Sequence, residues 1–350
     1  MLLQSSPNHK RVAKTLGVAA SVLALALVAT GCASTGTSSG GSSNKAKNYK
    51  IAFVPKNLGN AYFDTSDKGG AAAITEFDGT YQQVAPATAG PSAQVSFINT
   101  LTQQHVGAIV LSSDDPTANG TALTAARKAG TKVVTFDSDT DPKYRDLFIN
   151  QATADGIAQV EVDIITKEIG DSGEIAILSA SANATNQNAW IALMKTDLAK
   201  NHPNVKLDAV VYGNDDDQTS FNQTQALLQT YPKLKGIISP TTVGIAAAAR
   251  YLSTSASKGK VQLTGLGTPN QMRSFVKDGT VTAFALWNPA DLGYLASYAA
   301  KALIDGTITG KQGDTFKAGK LGSYTVGADG TVLLGKPYTF NAANIGTFNF

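Results

Sequence analysis

The chain has 350 residues, of which 43% are hydrophobic, and its formal charge is +3. The basic residues of the first 31 positions account for this whole excess, because the rest of the chain balances 26 Lys and Arg against 26 Asp and Glu. The neutral remainder gives no electrostatic reason to expect binding of nucleic acid or of an anionic membrane. The single cysteine excludes a disulfide framework within the chain.

The first predicted element is an export signal. A basic N-terminal stretch precedes a short apolar run, residues 17–31, which leads through small residues to Cys32. This order is typical of a secretory signal, and the run is shorter than the ~20 residues of a membrane span. The sequence before Cys32 resembles a bacterial lipobox, with Ala29 where Leu is usual. We predict a lipoprotein signal peptide over 1–31, lipidation of Cys32, and a flexible Ser/Gly linker over 32–48.

Beyond the linker, short apolar runs alternate with segments of helical period. The predicted strands are residues 50–55, 80–85, 107–112, 132–136, 173–180, 206–213, 234–240, 260–267, 280–287, 323–326 and 331–335. The predicted helices are residues 93–104, 116–129, 187–200, 220–230, 243–253 and 289–304. This alternation predicts parallel sheets and an α/β fold of two doubly wound, Rossmann-like lobes.

Polar residues directly follow the predicted strands, at the sheet edge where such folds bind their ligands. They offer hydroxyls, amides, isolated carboxylates and one ammonium group, which together suit a neutral polyhydroxylated ligand. The candidates after the strands are Lys56, Asn57, Asp115, Asp137, Asn186, Gln187, Thr242 and Asn288. Four nearby aromatic residues could supply flat apolar faces for a sugar ring, namely Tyr62, Phe63, Trp190 and Trp287.

Some of the acidic residues have a structural alternative to ligand binding. Asp115 precedes Pro116 and could cap the following helix. The acids at 215–217 are expected to form a solvated cluster at a helix N-terminus rather than a ligand site. Asp137 directly follows an apolar strand and is the leading candidate for a ligand contact.

Motifs for catalysis, cofactors and metals are missing from the sequence. Residues 265–270 lack the third glycine of a dinucleotide fingerprint, and neither a phosphate loop nor a nucleophile elbow is present. The three histidines are too scattered for a zinc site. The alternating acids from Asp137 begin like a calcium loop, but Pro142 and Phe148 replace its Gly and Glu. We therefore predict no enzymatic activity, no cofactor and no metal.

Seven segments carry a resemblance that covers Lys50 to Phe350. They are residues 50–63, 134–153, 183–190, 236–252, 265–281, 284–303 and 340–350. These segments resemble the substrate-binding lipoproteins of bacterial ABC importers, which have the type I periplasmic-binding fold. Within that family they resemble the subfamily that contains rhamnose-binding proteins and autoinducer-2 receptors.

The resemblance implies two lobes joined by a hinge of three crossing strands, with a sugar bound between them. The first lobe would comprise residues 49–150 plus 288–321, and the second residues 151–287 plus 322–350. It also implies a monomer that is lipid-anchored on the extracytoplasmic face of the cell membrane. Its partners would be a small sugar and the permease and ATPase of an ABC importer.

The resemblance also predicts the ligand, when individual pocket residues are compared with those of the autoinducer-2 receptors. Lys56 and Asp137 match the pocket of the autoinducer-2 receptors, whereas Asn186 stands for an Asp and Thr242 for an Ala. Both departures fit a pyranose with more hydroxyls, and L-rhamnose is the expected ligand. The complete predicted ligand set is Lys56, Asn57, Phe63, Asp115, Asp137, Asn186, Gln187, Pro240, Thr242 and Asn288.

Several alternatives stay open at this point. Autoinducer-2, or another pentose or deoxyhexose, would use the same fold with a different ligand. An exported sugar-modifying enzyme would be revealed by product formation. A purely structural surface lipoprotein is disfavoured, because the polar loops gather at one end of both sheets.

Overall fold

The computed structural model describes residues 47–350, which belong to one compact unit. The predicted signal peptide, Cys32 and nearly all of the linker lie outside the described residues. The helices are α1 (Ala61–Glu76), α2 (Val95–Gln103), α3 (Gly120–Lys128), α4 (Ala154–Ile169), α5 (Thr185–Asn201), α6 (Asp217–Thr230), α7 (Thr242–Thr254), α8 (Pro269–Lys277) and α9 (Pro289–Asp305).

The strands alternate with these helices along the chain. They are β1 (Lys50–Val54), β2 (Thr80–Gln83), β3 (Ala108–Leu111), β4 (Lys132–Phe136), β5 (Leu147–Asn150), β6 (Gly173–Ser179), β7 (Val205–Tyr212), β8 (Leu234–Ser239), β9 (Gln262–Gly265), β10 (Ala283–Leu286), β11 (Thr315–Lys317), β12 (Ser323–Thr325), β13 (Thr331–Leu333) and β14 (Tyr338–Asn341).

The chain forms two sheets, and their strand orders correspond when the first sheet is read from β2 and the second from β7. The first sheet has the order β13-β5-β4-β3-β1-β2, and all of its neighbours are parallel. The second sheet has the parallel order β7-β6-β8-β9, and a bridge between Leu266 and Ala285 continues it to β10 and its antiparallel neighbour β14. This confirms the predicted α/β fold of two doubly wound halves.

The central strands are predictable because both of their faces are buried. In β1, residues Ile51 to Val54 are fully buried, and in β4 the run from Val133 to Phe136 is buried just as continuously. Helices cover both faces of such a parallel sheet, so its strands read as unbroken hydrophobic stretches. The short strands β5, β11 and β14 lack this signal and were not predicted.

Helix α1 was missed for a different reason. Its inner face is built from small and polar residues, among them Ser66, Asp67 and the pair Gly69 and Gly70. A helix of this kind presents no apolar stripe of helical period. The same helix nonetheless carries Tyr62 and Phe63 to the edge of the first sheet.

The chain crosses between the two sheets three times. The first crossing follows β5, and the second separates β10 from α9. The lobe boundaries expected at residues 150–151 and 288–289 stay predictions. The third prediction, at residues 322–323, needs correction: β13 pairs in parallel with β5, so 331–333 still belong to the first sheet. The crossing follows Leu333 instead, where the backbone N–H of Leu334 donates to the Asn150 carbonyl at 2.8 Å. Sequence alone missed this because three-residue strands have no periodicity to assign them to a sheet.

Asp67 makes the folded state sensitive to pH. Its carboxylate accepts from Gln83 Nε2 at 2.6 Å and from Ser66 Oγ at 3.0 Å, yet the side chain is almost fully buried. Burial raises the pKa of Asp67 from 3.8 to about 7, which outweighs the two hydrogen bonds. Between those values the native chain therefore holds a proton that the unfolded chain has released.

We expect Asp67→Asn to stabilise the protein increasingly as pH rises from 4 to 7. Stability conferred by the protonated carboxyl is complete below the unfolded pKa and lost as pH passes the folded value. The upper limit of the gain is roughly 4 kcal/mol. Thermal melting of both proteins at pH 5 and pH 8 checks this. A melting-temperature difference that does not grow with pH would contradict it.

Candidate ligand-binding site

A cavity lies between the carboxyl ends of the two sheets. The space between its walls measures about 360 Å³ when the part that is open to solvent is counted. Its walls come from strand ends and helix starts on both sides. The lining residues are Lys56, Asn60, Tyr62, Phe63, Asp137, Asn186, Gln187, Trp190, Asp215, Pro240, Thr241, Thr242, Leu266, Leu286 and Trp287.

Lys56 and Asp137 form the polar wall on the first sheet. Lys56 lies two residues after the end of β1, Asp137 directly follows β4, and Lys56 Nζ lies 3.9 Å from Asp137 Oδ2. Ser112 Oγ donates to the same carboxylate oxygen at 2.7 Å. Asp137 has a φ of +61°, a left-handed conformation that turns its side chain out of the strand direction and into the cavity. Asp tolerates this backbone conformation better than most residues.

Asn186 and Gln187 form the opposing polar wall at the start of α5. Asn186 Oδ1 accepts from Lys56 Nζ at 3.4 Å, so a hydrogen bond already joins the two sides of the cavity. Gln187 Oε1 accepts from Ser179 Oγ at 2.6 Å and from the Ala180 backbone N–H at 2.7 Å. Because its oxygen is engaged by the end of β6, the amide NH₂ of Gln187 is the group left to donate to a ligand.

Asp215 also lines the cavity, which corrects the expectation for the acids at 215–217. Asp216 caps α6 by accepting from the Thr219 backbone N–H, and Asp217 is exposed, as expected of a solvated cluster. Asp215 instead turns inward and accepts a hydrogen bond from Thr241 Oγ1. The sequence pattern of three successive acids at a helix start did not indicate that the side chain of one of them points into the cavity.

Burial and the Lys56 ammonium act in opposite directions on the nearby carboxylates. Burial raises the pKa of Asp215, and the positive charge of Lys56 offsets part of that rise. Asp114, behind the cavity wall, shows the same balance, and burial raises its pKa to about 6 despite Lys56. The cavity therefore pairs one cation with two lining carboxylates, Asp137 and Asp215.

Four aromatic side chains make a continuous apolar wall. The Tyr62 and Trp287 rings meet edge to face with centroids 6.0 Å apart, and Trp190 meets Trp287 at 6.2 Å. Phe63 packs edge to face on Tyr62 at 5.2 Å. Trp287 Nε1 donates to Tyr62 Oη at 2.9 Å, which fixes both rings. Burial and the charge of Asp137 raise the pKa of Tyr62 well above 10, so the phenol keeps its proton.

Two leucines extend the apolar surface between the aromatic wall and the polar groups. Leu266 follows β9 and Leu286 ends β10, and both are buried. Pro240 and Thr242, which the sequence predicted, lie beside them in the cavity lining. An arrangement with one polar side, one aromatic side and a small aliphatic patch suits a ring that is itself polar at its edge and apolar on its faces.

Three of the ten predicted ligand residues lie outside the cavity lining. Asp115 Oδ1 accepts from the backbone N–H groups of Thr117 and Ala118, both at 2.8 Å, so it stabilises the turn that precedes α3, whose N-cap is Asn119. Asn288 caps α9 by accepting from the Ala290 N–H at 3.0 Å. Asn57 lines a separate surface groove at the edge of the cleft. A position just after a strand therefore identifies the correct end of the sheet without fixing which way the side chain turns.

The remaining seven predicted residues come together in the lining: Lys56, Phe63, Asp137, Asn186, Gln187, Pro240 and Thr242. Sequence reasoning missed Asn60, Asp215, Thr241, Leu266 and Leu286 as lining residues. Among residues 47–350 the structure brings no three potential metal ligands together. Within the same residues, no helix is long and apolar enough to cross a membrane.

Comparisons with known proteins agree with this geometry. The model of the family described as periplasmic binding protein domain matches residues 51–308. A sugar ABC transporter structure from Actinomyces odontolyticus is 53% identical, covers 86% of this chain and 97% of that chain, and has a TM-score of 0.70.

Two further solved structures resemble the chain over its described length. A solute-binding protein from Clostridium phytofermentas with bound L-rhamnose is 38% identical, with a TM-score of 0.83 and coverage of 87% of this chain and 98% of that one. LsrB from Clostridium saccharobutylicum in complex with AI-2 is 27% identical, with a TM-score of 0.81 and coverage of 86% and 99%. The predicted resemblance to the rhamnose and autoinducer-2 group is confirmed.

Two doubly wound halves around one cavity of this composition define a bilobal solute-binding protein. The chain belongs to the periplasmic binding protein domain family, whose model covers most of its length. Its family and relatives make it an extracytoplasmic substrate-binding protein of the sugar ABC-transporter class, and proteins of this class are not enzymes.

Proposed function

We propose that this protein captures L-rhamnose in the cavity between its two halves and delivers it to the permease of an ABC importer. The observation that carries the proposal is the division of the cavity into a charged and amide-lined side, an aromatic side and an aliphatic patch. A 6-deoxy sugar has the matching division: hydroxyls around the ring, apolar C–H faces and one methyl group.

The polar side matches the hydroxyls of a pyranose. Asp137 and Asp215 can each accept from two neighbouring hydroxyls, and Lys56 and the Gln187 amide can donate to ring or hydroxyl oxygens. Lys56, Asp137 and Gln187 are buried and Asp215 is half-buried, so an unpaired group here would be costly, and a ligand rich in hydroxyls satisfies them.

The aliphatic patch favours a deoxy sugar over its fully hydroxylated counterpart. Leu266 and Leu286 offer no hydrogen-bond partner, so they suit the methyl group of L-rhamnose and not the hydroxymethyl group of L-mannose. A hydroxyl forced against them would lose its water without compensation. L-Mannose differs from L-rhamnose only by that hydroxyl, which makes it a matched probe.

Asn186 supports rhamnose over autoinducer-2 because its side chain is neutral. The resemblance places an Asp at this position in the autoinducer-2 receptors, and the amide here shares its oxygen between Lys56 Nζ and the Gln187 N–H at 2.9 Å. A neutral Asn leaves the Lys56 charge less compensated and adds a donor. The 38% identity to the rhamnose-bound protein, against 27% to the AI-2 complex, points the same way.

Calorimetric titration of residues 32–350 with L-rhamnose, L-mannose and autoinducer-2 tests the ligand. We expect saturable rhamnose binding, at least about tenfold weaker L-mannose binding, and no autoinducer-2 signal. Autoinducer-2 binding with rhamnose silent would overturn the ligand and keep the protein class. Equal affinity for the two sugars would show that the leucine patch does not contact the sixth carbon.

We propose that the two halves close over the sugar about the three crossings. The hydrogen bond from Lys56 to Asn186 and the one from Trp287 to Tyr62 lie at that closure. Ligand contacts to both halves would favour the closed form over an open one, which is a shift of population driven by the sugar.

The anchor is part of the proposal and rests on the sequence around Cys32, outside the described residues. We expect Cys32→Ser to move the protein from the membrane fraction to the medium or the soluble fraction, because the acyl chains are lost. Fractionation of the producing cells with detection of the protein checks this. Retention of the variant in the membrane fraction would contradict lipidation at Cys32.

A further inference from the structure

The amino ends of the first sheet carry a groove rich in positive charge. Two adjoining surface depressions share residues 130–132 and together form what we call the basic groove. Its functional lining is Asn48, His105, Arg127, Lys128, Lys132 and Lys143, with Asp146 as its one acidic lining residue. Lys50, at the first position of β1, flanks it.

Ion pairing neutralises only part of this charge. Arg127 pairs with Asp146 at 2.9 Å, and Lys143 pairs with the neighbouring Asp141 at 2.6 Å. Among the residues the structure describes, Lys128 and Lys132 make no ion pair, and Lys128 is exposed at the end of α3. An uncompensated pair of ammonium groups in a surface depression attracts anions over about a Debye length.

The polypeptide enters the described structure beside this groove. Asn48 lines it and donates through Nδ2 to the His105 carbonyl at 2.7 Å, while Lys47 Nζ donates to the Asp305 carbonyl at 3.1 Å. Tyr49 lies only 17 positions after Cys32. A chain of that length spans at most about 60 Å, so an anchor at Cys32 keeps this end of the protein close to the membrane.

We propose that the basic groove rests on the anionic headgroups of the membrane to which the protein is anchored. The inference rests on the proposed anchoring at Cys32, which raises the local lipid concentration at this end of the protein. Parallel strands place the sugar cavity at their carboxyl ends and the groove at their amino ends. Contact through the groove therefore holds the cavity away from the lipid, as a resting orientation before docking on the permease.

The net charge of the chain does not indicate that the basic groove exists. The residues after the leader are neutral overall, and composition alone predicts no attraction to anionic lipid. The fold separates the charges, because Lys50 and Lys132 start strands at one edge while Asp137 and Asp215 follow strands at the other. The attraction belongs to one face and not to the whole molecule.

Vesicle binding tests the groove without the anchor. Residues 32–350 carrying Cys32→Ser contain the whole compact unit and no acyl chain, and are sedimented with vesicles of phosphatidylglycerol and phosphatidylcholine. We expect Lys128→Glu with Lys132→Glu to weaken binding at least about tenfold, since each basic residue near an anionic surface contributes roughly fivefold. Raised salt should remove the binding of the parent protein.

A matched pair on the second half controls for net charge. Lys195 and Lys200 are exposed on α5, and their replacement by Glu changes the total charge by the same amount. We expect that pair to change vesicle binding less than about twofold. Equal losses from both pairs, binding that is as strong to pure phosphatidylcholine, or retention on a heparin matrix with no vesicle binding would overturn the proposal. Rhamnose titration of the same variants reads out the sugar site separately.

Discussion

Asp137→Asn is expected to weaken L-rhamnose binding at least about tenfold while the protein stays folded. Hydrogen bonds to charged groups contribute ~1.5–3 kcal/mol, and the amide keeps the shape of the side chain while removing its charge. The substitution also deprives Lys56 Nζ of its carboxylate partner at 3.9 Å and leaves Ser112 Oγ a weaker acceptor. Calorimetric titration with thermal melting on the same samples measures both effects.

Asn is the better first variant because of the backbone at this position. Asp137 has a φ of +61°, and Asn tolerates that conformation, whereas Ala adds backbone strain of roughly 1 kcal/mol to the loss of the carboxylate. Asp137→Ala should therefore lose binding to at least the same degree and melt slightly lower. A tight-binding Asp137→Asn variant would remove this carboxylate from the sugar site.

Asp115→Ala is the matched control for the carboxylate. Asp115 also follows a first-sheet strand, but its oxygen is held by the N–H groups of Thr117 and Ala118. The loss of these turn hydrogen bonds should cost about 1 kcal/mol of stability and leave the sugar affinity within about twofold. Loss of binding in both variants would mean that the loops of this sheet edge respond as one unit.

Gly293→Val is expected to destabilise the protein by several kcal/mol, roughly 3 or more, which is among the largest effects of any single substitution. A β-carbon at Gly293 would lie 1.8 Å from the Ser66 carbonyl oxygen on α1, and one at Gly69 would lie 1.9 Å from the Ala290 carbonyl oxygen. The two helices touch through their backbones, and any side chain must push them apart.

The direction of the stability change in Gly293→Ala distinguishes the close packing of α1 and α9 from the ordinary helix propensity of alanine. In an ordinary helix interior, Ala is more stabilising than Gly by about 1 kcal/mol. Here the backbone contact should reverse that preference, so Gly293→Ala should lower the melting temperature. Gly346→Val is the control, because a β-carbon there has no atom within 4 Å. Unchanged stability of Gly293→Ala would contradict the close packing of α1 and α9.

This helix contact also supports the sugar site. The first turn of helix α1 carries Tyr62 and Phe63 into the cavity, and α9 begins two residues after Trp287. Separating the helices would move the aromatic wall and stretch the hydrogen bond from Trp287 Nε1 to Tyr62 Oη. Titration of any folded Gly293 variant should therefore show weaker sugar binding together with its lower stability.

The strength of a local pattern decided how much could be predicted. Both ends of β4 were predicted correctly, because a short run such as residues 132–136, without glycine or proline, is typical of a buried parallel strand. Helix α1 was missed, since the middle of its buried face is Ser, Asp, Gly and Ala and it meets α9 backbone to backbone. A helix that packs closely through glycine has a sequence that resembles that of a loop.

The sequence by itself determined the α/β class, the end of each sheet where the site lies, and Lys56 and Asp137 as its first-sheet charges. These follow from short-range regularities, because a residue just after a parallel strand is at the carboxyl edge whatever the rest of the chain does. The direction of a side chain at that edge depends on more than the local sequence: Asp215 turns into the cavity, whereas Asp115 bonds to the turn before α3.

Only the tertiary structure decided which residues meet. Lys56 and Asn186 are 130 positions apart and share a hydrogen bond, and the third crossing lies after Leu333 because a three-residue strand pairs with β5. The tertiary structure likewise separated the charges of a neutral chain into a basic groove at one edge and a carboxylate-lined cavity at the other. Contacts between distant segments and the direction of each side chain depend on the packing of the whole, which no local pattern encodes.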